Sequence, residues 1–160
     1  MSDSGIEITL DTKKIQKAFQ KSFEILKDFK PALRVARQVL LHAIDENFET
    51  EGVSSGNKYQ DWSDYYKKVR QKIGGKILHL DGVLRKSITG IVRKDSVIIS
   101  TEKEYAAVHN FGFEGPDKNG RMMNMPQREF FRLTEYDWMN LEDEIMQNIA
   151  KRLEKQNEWD

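Results

Sequence analysis

Residues 88–100 read Ile88-Thr89-Gly90-Ile91-Val92-Arg93-Lys94-Asp95-Ser96-Val97-Ile98-Ile99-Ser100. Two short β-rich runs, 88–92 and 97–100, flank four polar residues, the spacing of a β-hairpin with a four-residue turn. Just before them, Asp81-Gly82-Val83-Leu84 opens a short helical turn that ends near Ser87 and Ile88. Outward from this centre the hydrophobic period lengthens to that of helices. Upstream, Ile15, Phe19, Ser22 or Phe23, Leu26 and Phe29 trace one stripe behind a cap at Asp11 or Thr12. Pro31 sets a break near Lys30, and a second helix follows with Leu33, Ala36, Val39 or Leu40, Ala43, Ile44 and Phe48 on its buried side. Downstream, Thr134 with Asp137 three residues on caps a last helix, whose stripe is Trp138, Leu141, Ile145, Ile149 and Leu153. The expected class is α+β: a small antiparallel sheet packed against long N-terminal and C-terminal helices.

The remaining segments carry weaker patterns. Ile6, Ile8 and Leu10 alternate as a short half-buried strand does. Residues 105–111 fit a helical turn or another strand equally. Two stretches, about 50–76 and 112–126, lose all period and gather Gly52, Gly56, Gly74, Gly75, Gly115, Pro116 and Gly120, so both are expected to be long loops. Loops of such length in a compact domain are usually functional. No repeat or low-complexity tract interrupts the chain, and residues 1–160 are expected to form a single domain.

Composition narrows the function. The chain has 160 residues, with 26 Lys+Arg balancing 26 Asp+Glu. Charged residues make up 32% and hydrophobic ones 38%, a balance suited to long solvated helices in an elongated or oligomeric protein. The 10% of aromatic residues supplies anchors that disordered chains lack. No apolar run approaches the ~20 residues of a membrane span, and the acidic start is no signal peptide, so a soluble, intracellular protein with no membrane partner is expected. The absence of cysteine excludes disulfides, thiolate nucleophiles and Cys-ligated metal. Neutrality hides an asymmetry. Residues 1–57 carry a net −1, residues 58–94 a net +7 and residues 95–160 a net −6. Opposed patches of this kind suit self-association, or present one basic surface to a polyanion.

Catalytic constellations are missing. His42 has Glu46 four residues on, where a zincin would place a second histidine, so an exposed side-chain contact is expected. His79 sits among Ile77, Leu78 and Leu80, which favours a packing role. Asp45, Glu46, Glu49 and Glu51 crowd a helix end and read as a solvated acidic face rather than a cation site. The glycines spell no phosphate loop, and no serine stands in a nucleophile elbow. Neither an enzyme nor a cofactor is expected. Nucleic-acid binding has more support, because Tyr59, Trp62, Tyr65 and Tyr66 interleave with Lys58, Lys67, Lys68, Arg70 and Lys72. The competing reading docks those rings on the core and leaves the lysines in water.

An ordered set of motifs runs through the chain. Phe48-x-Thr50-Glu51-Gly52, Gly56 and Trp62 precede Ile77-Leu78 and Asp81-Gly82-Val83-Leu84-Arg85-x-Ser87-Ile88. After the hairpin come Tyr105-Ala106-Ala107-Val108-His109-Asn110-Phe111-Gly112 and Met125-Pro126-Gln127-Arg128-Glu129-Phe130. This order resembles the bacteriophage virion-morphogenesis or tail-completion family of contractile-tailed phages of the Mu and P2 type. The resemblance covers roughly residues 1–150. It implies a structural protein that completes or terminates the tail and helps join it to the filled head as a ring subunit. The implied partners are copies of itself, the phage tail tube and the head connector, with DNA passing close by in the lumen. The implied location is the virion, at the head–tail junction or tail end, after assembly in the host bacterial cytoplasm. A ring needs two different faces on each subunit, which the opposed charge blocks could supply. The candidate interface residues on this reading are Trp62, Tyr65, Lys67, Lys68, Arg70, Arg85, His109, Phe111, Met123, Met125, Arg128 and Phe130. Arg128 is an interface anchor or, alternatively, the partner of a carboxylate at the core edge. The alternative function is a nucleic-acid-binding module using segment 58–76.

Overall fold

Pro31 has no amide hydrogen to place and a φ already set for a first helical turn. Helix α1 accordingly spans Lys30–Glu49 with Pro31 at its start. The computed structural model describes residues 20, 22–24, 26–70 and 75–157. Residues 22–24, 26 and 27 are helical as well, and the break expected near Lys30 falls at Asp28 and Phe29. The strand expected over 5–10 and the first part of the preceding stripe lie outside the described residues.

At the end of α1 the chain reverses sharply. The amide and hydroxyl of Thr50 both donate to the Glu46 carbonyl oxygen at 2.8 Å. Glu51 and Gly52 follow with φ of 52° and 81°. A Cβ at Gly52 would stand 2.2 Å from the Asn57 carbonyl oxygen and 2.7 Å from the Tyr59 ring, so only glycine fits. The turn tucks Tyr59 into the core. Helix α2 (Asp64–Arg70) and the single turn α3 (Val83–Lys86) come next.

Strands β1 (Thr89–Val92) and β2 (Val97–Ser100) pair antiparallel with Ile91 opposite Ile98. The Arg93 amide donates to the Ser96 carbonyl oxygen at 2.8 Å and closes the four-residue turn. This hairpin lies on α1, and β1 crosses it at Gly90, where a Cβ would approach the Arg37 side chain to 2.5 Å. Residues 105–111 resolve as helix α4 (Tyr105–Phe111). Strands β3 (Phe113–Pro116) and β4 (Met122–Met125) form a second antiparallel hairpin, with Gly115 opposite Met123. Helix α5 (Glu135–Asn157) closes the chain. Its start is a reciprocal cap: the Thr134 amide donates to Asp137 Oδ2 at 2.7 Å, and the Asp137 amide donates to Thr134 Oγ1 at 3.1 Å. The helix then returns along α1 until Arg152 reaches the Asp28 carbonyl oxygen at 3.0 Å.

The class is α+β, as the periodicity implies, with the strands divided between two separate hairpins. Two expectations need correction. The segment 112–126 is not a loop: its strands form β3–β4, and their side chains alternate too little in polarity to betray the pairing. The connection 50–76 is not wholly irregular, since α2 forms within it. The core unites Ile44 and Phe48 of α1 with Tyr59, Ile77, Leu84, Ala106 and Phe130, and Trp62, Leu78, Ile88, Ile99 and Phe131 pack around it. The Phe48 and Phe130 ring centres lie 5.0 Å apart. No helix among the described residues is long and apolar enough to cross a membrane.

Candidate functional site

Two buried asparagines place the segment that follows β4. Asn47 sits on the apolar face of α1, and its amide donates to the Phe130 and Arg132 carbonyl oxygens at 3.1 and 2.8 Å. The Ser54 hydroxyl donates to its oxygen at 3.2 Å. Asn110 on α4 accepts the Phe131 amide at 3.0 Å, and the Arg128 amide donates to the His109 carbonyl oxygen at 2.7 Å. The Pro126–Phe131 stretch is therefore pinned to α1 and α4 by its backbone. Phe130 drops into the core, and Arg128 faces the other way.

Arg128 forms the floor of a cleft of about 670 Å³ bounded by residues 60–66, 78–84, 105–109 and 124–128. It is 6% exposed. Its Nε donates to the Gln60 carbonyl oxygen at 3.0 Å, and Nη1 lies 3.8 Å from the Met125 sulfur. Burial pulls its pKa below the ordinary arginine value, opposed by the charges of Asp61 and Tyr66. The rings of Trp62 and Tyr66 meet edge to face at 5.9 Å, and those of Tyr105 and His109 at 6.1 Å. His109 is half-buried, and desolvation with the nearby Arg128 charge lowers its pKa, so it is neutral at pH 7. The Nδ1 atoms of His79 and His109 are buried and have no hydrogen-bond partner among the described residues. The Asp61 carboxyl is held below its usual pKa by the Lys67 ammonium at 2.9 Å, then by the Trp62 amide.

Of the expected interface residues, Trp62, His109, Met125 and Arg128 converge on this cleft, and Lys67 buttresses its rim through Asp61. Lys68 is exposed, Phe111 projects from the end of α4 and Met123 from β4, all outside it. The side chains of Tyr65 and Arg70 lie outside the described residues. Two expectations are corrected. Phe130 is fully buried and belongs to the core. Arg85 is already engaged on α1, clamped between the carboxylates of Asp45 and Glu49. Lys76 adds a 2.6 Å contact to Glu49, whose pKa is held at about 2, first by Lys76 and then by Arg85. The acidic end of α1 is thus ion-paired with part of the basic middle while its carboxylates stay partly in solvent. His42 makes the expected exposed contact with Glu46, at 3.7 Å.

Sequence reasoning missed Gln60, Tyr105, Asn47 and Asn110. Tyr105 and Asn110 stand in the motif at 105–112 without a role assigned to them, Asn47 is a polar residue within an apolar stripe, and Gln60 carried no signal. Arg128 meets a carbonyl oxygen rather than the core-edge carboxylate that was its alternative. Among the described residues, no three His, Asp or Glu side chains are grouped to hold a metal ion.

Residues 10–153 match the phage virion morphogenesis family. Protein G of Escherichia phage Mu, provisionally named a capsid assembly protein, is 31% identical over 152 residues, covering 92% of this chain and 94% of that protein. Mu-like prophage FluMu G protein 1 of Haemophilus influenzae is 30% identical over 113 residues, covering 67% of this chain and 75% of its own. FluMu G protein 2 of the same organism is 26% identical over 141 residues, covering 88% and 93%. No solved structure matches.

Proposed function

This chain belongs to the phage virion morphogenesis family, and on that premise we propose that it completes the phage tail and joins it to the filled head as one subunit of a ring. It is a phage virion assembly protein; the place and the ring are the reading. The observation that carries the ring is the surface. Phe111 and Met122, 72% and 73% exposed, project from α4 and β4, while Tyr136, Trp138, Met139 and Met146 project along α5. Tyr136, Met139 and Met146 fall on one side of α5, and large apolar groups gathered on one exposed face mark an interaction surface that a neighbouring subunit would cover. The tail tube and head connector are the further partners, and the DNA path would run through the ring. Its place in the particle would then be the head–tail junction.

A second reading has one observation behind it: the name of the Mu relative points to the capsid. A phage lacking this chain separates the two. Tail completion predicts filled heads and full-length tails that fail to join, with joining restored by the purified protein. Malformed or empty heads beside normal tails would overturn it in favour of head assembly. The nucleic-acid alternative loses support, because Tyr59 is buried in the core, which removes one of its stacking rings.

A further inference from the structure

The floor of the cleft holds a charge that no described residue meets in an ion pair. Beyond the Gln60 carbonyl oxygen and the Met125 sulfur, Arg128 has no hydrogen-bond partner among the described residues. Among the described residues no carboxylate lies within ion-pair distance of it, although Asp61 and Asp81 line the cleft. Asp61 is turned to Lys67, and Asp81 accepts the Val83 amide at 3.0 Å at the start of α3. A guanidinium remains charged throughout the range in which proteins fold. A buried cation without a counter-charge is unfavourable until one arrives. The walls are aromatic, Trp62 and Tyr105, and the cleft admits a few side chains but not a whole helix.

The complementary chemistry stands elsewhere on the same chain. Glu135, Met139, Glu142, Asp143 and Met146 recur three or four apart along α5 and are all exposed. Tyr136, 75% exposed, flanks that strip. Carboxylates and large apolar groups thus alternate along one solvent-facing line, on a helix whose other side packs against α1. No residue of α5 lines the cleft.

We infer that α5 of one copy docks at the Arg128 cleft of the next, a carboxylate of its first turns meeting the guanidinium and its aromatic and methionine side chains meeting the aromatic walls. The inference rests on the ring reading proposed above and names its interface. Cleft and strip are different surfaces, so the contact is head-to-tail, and closure of such contacts makes a ring. The two acids at the cleft are engaged within their own chain, which leaves Arg128 for the neighbour.

The test uses two full-length variants. Arg128 itself is too buried to reverse safely, so Tyr105→Glu places a carboxylate at the cleft mouth instead, and Tyr105 is exposed. The second variant, Glu142→Lys with Asp143→Lys, reverses the α5 strip at exposed positions. Sedimentation velocity is expected to show self-association of each variant weakened about tenfold or more against the parent chain. An equimolar mixture should recover a single one-to-one dimer, because each variant supplies the surface that the other lacks. Variants that assemble like the parent, or a mixture that yields no dimer, overturn this interface while leaving a ring open. A parent chain that stays monomeric at high concentration with purified tails present overturns the ring and this interface together.

Discussion

The two hairpins are built alike and supported differently. Strands β1–β2 rest on α1, and their side chains alternate between half-buried and exposed along both strands. Strands β3–β4 expose nearly every side chain, with only Gly115 buried and Met125 partly so. A two-stranded hairpin is marginal in water unless something covers one face. For β1–β2 that cover is α1. The β3–β4 hairpin is held by its ends, through the backbone bonds of Arg128 and Phe131 to α4. One-sided burial is also what writes a period of two into a sequence. The β1–β2 hairpin is therefore readable directly from residues 88–100, whereas β3–β4 has the sequence pattern of a loop.

Equivalent truncations should break this contrast most visibly. Ile99 packs against the core from β2, and Ile99→Ala is expected to cost about 2–4 kcal/mol of folding stability. Met122→Ala on β4 should change the stability of the isolated chain by less than about 0.5 kcal/mol, since its side chain is 73% exposed. Denaturant unfolding of the two variants checks both. A loss at Met122 comparable to that at Ile99 would mean that β3–β4 is covered within its own chain.

The next step is the clamp on which the β3–β4 hairpin depends. Asn47→Ala removes both donors to the Phe130 and Arg132 carbonyl oxygens, and about 1–3 kcal/mol should follow from leaving those acceptors unpaired. Hydrogen exchange should show the loss as faster opening of residues 125–132, with the protection of the β1–β2 amides nearly unchanged. Uniform acceleration across both hairpins would show that the clamp serves the whole core instead.

What the sequence disclosed follows the same division. Local chemistry was legible: the break just before Pro31, the Thr134–Asp137 cap and the hairpin turn at Arg93–Ser96 each need only neighbours in the chain. The motif order added Arg128 and His109 as residues of interest. The cleft was not legible, because Gln60, His79, Tyr105 and Met125 meet only once four distant segments converge on the core. The opposed charge blocks were visible as totals, but the pairing of Arg85 and Lys76 with α1 was not. Part of the basic middle block is an internal strut rather than an external patch.

That strut yields the smallest effect and the sharpest contrast in pH. Arg85 on α3 leads into β1, so its bonds to Asp45 and Glu49 brace the entry of β1–β2 against α1. Among the described residues, β3–β4 has no ion pair of its own. Glu49 titrates at about 2 in the folded chain against an ordinary 4.5, because Lys76 and Arg85 favour its charged form. A carboxyl whose folded pKa is lowered contributes fully above its unfolded value. The contribution shrinks as pH falls from about 4.5 and is gone below about 2. The Glu49 side-chain carboxyl resonance should therefore move near pH 2 rather than 4.5. In Glu49→Gln the unfolding midpoint should lose a small part of its slope over that window, because the group is exposed and salt screens it. Amide shifts of α3 and β1 should follow the Glu49 titration while those of β3 and β4 stay still. Co-titration of β3–β4 would join the two hairpins in one unit and remove the difference between them.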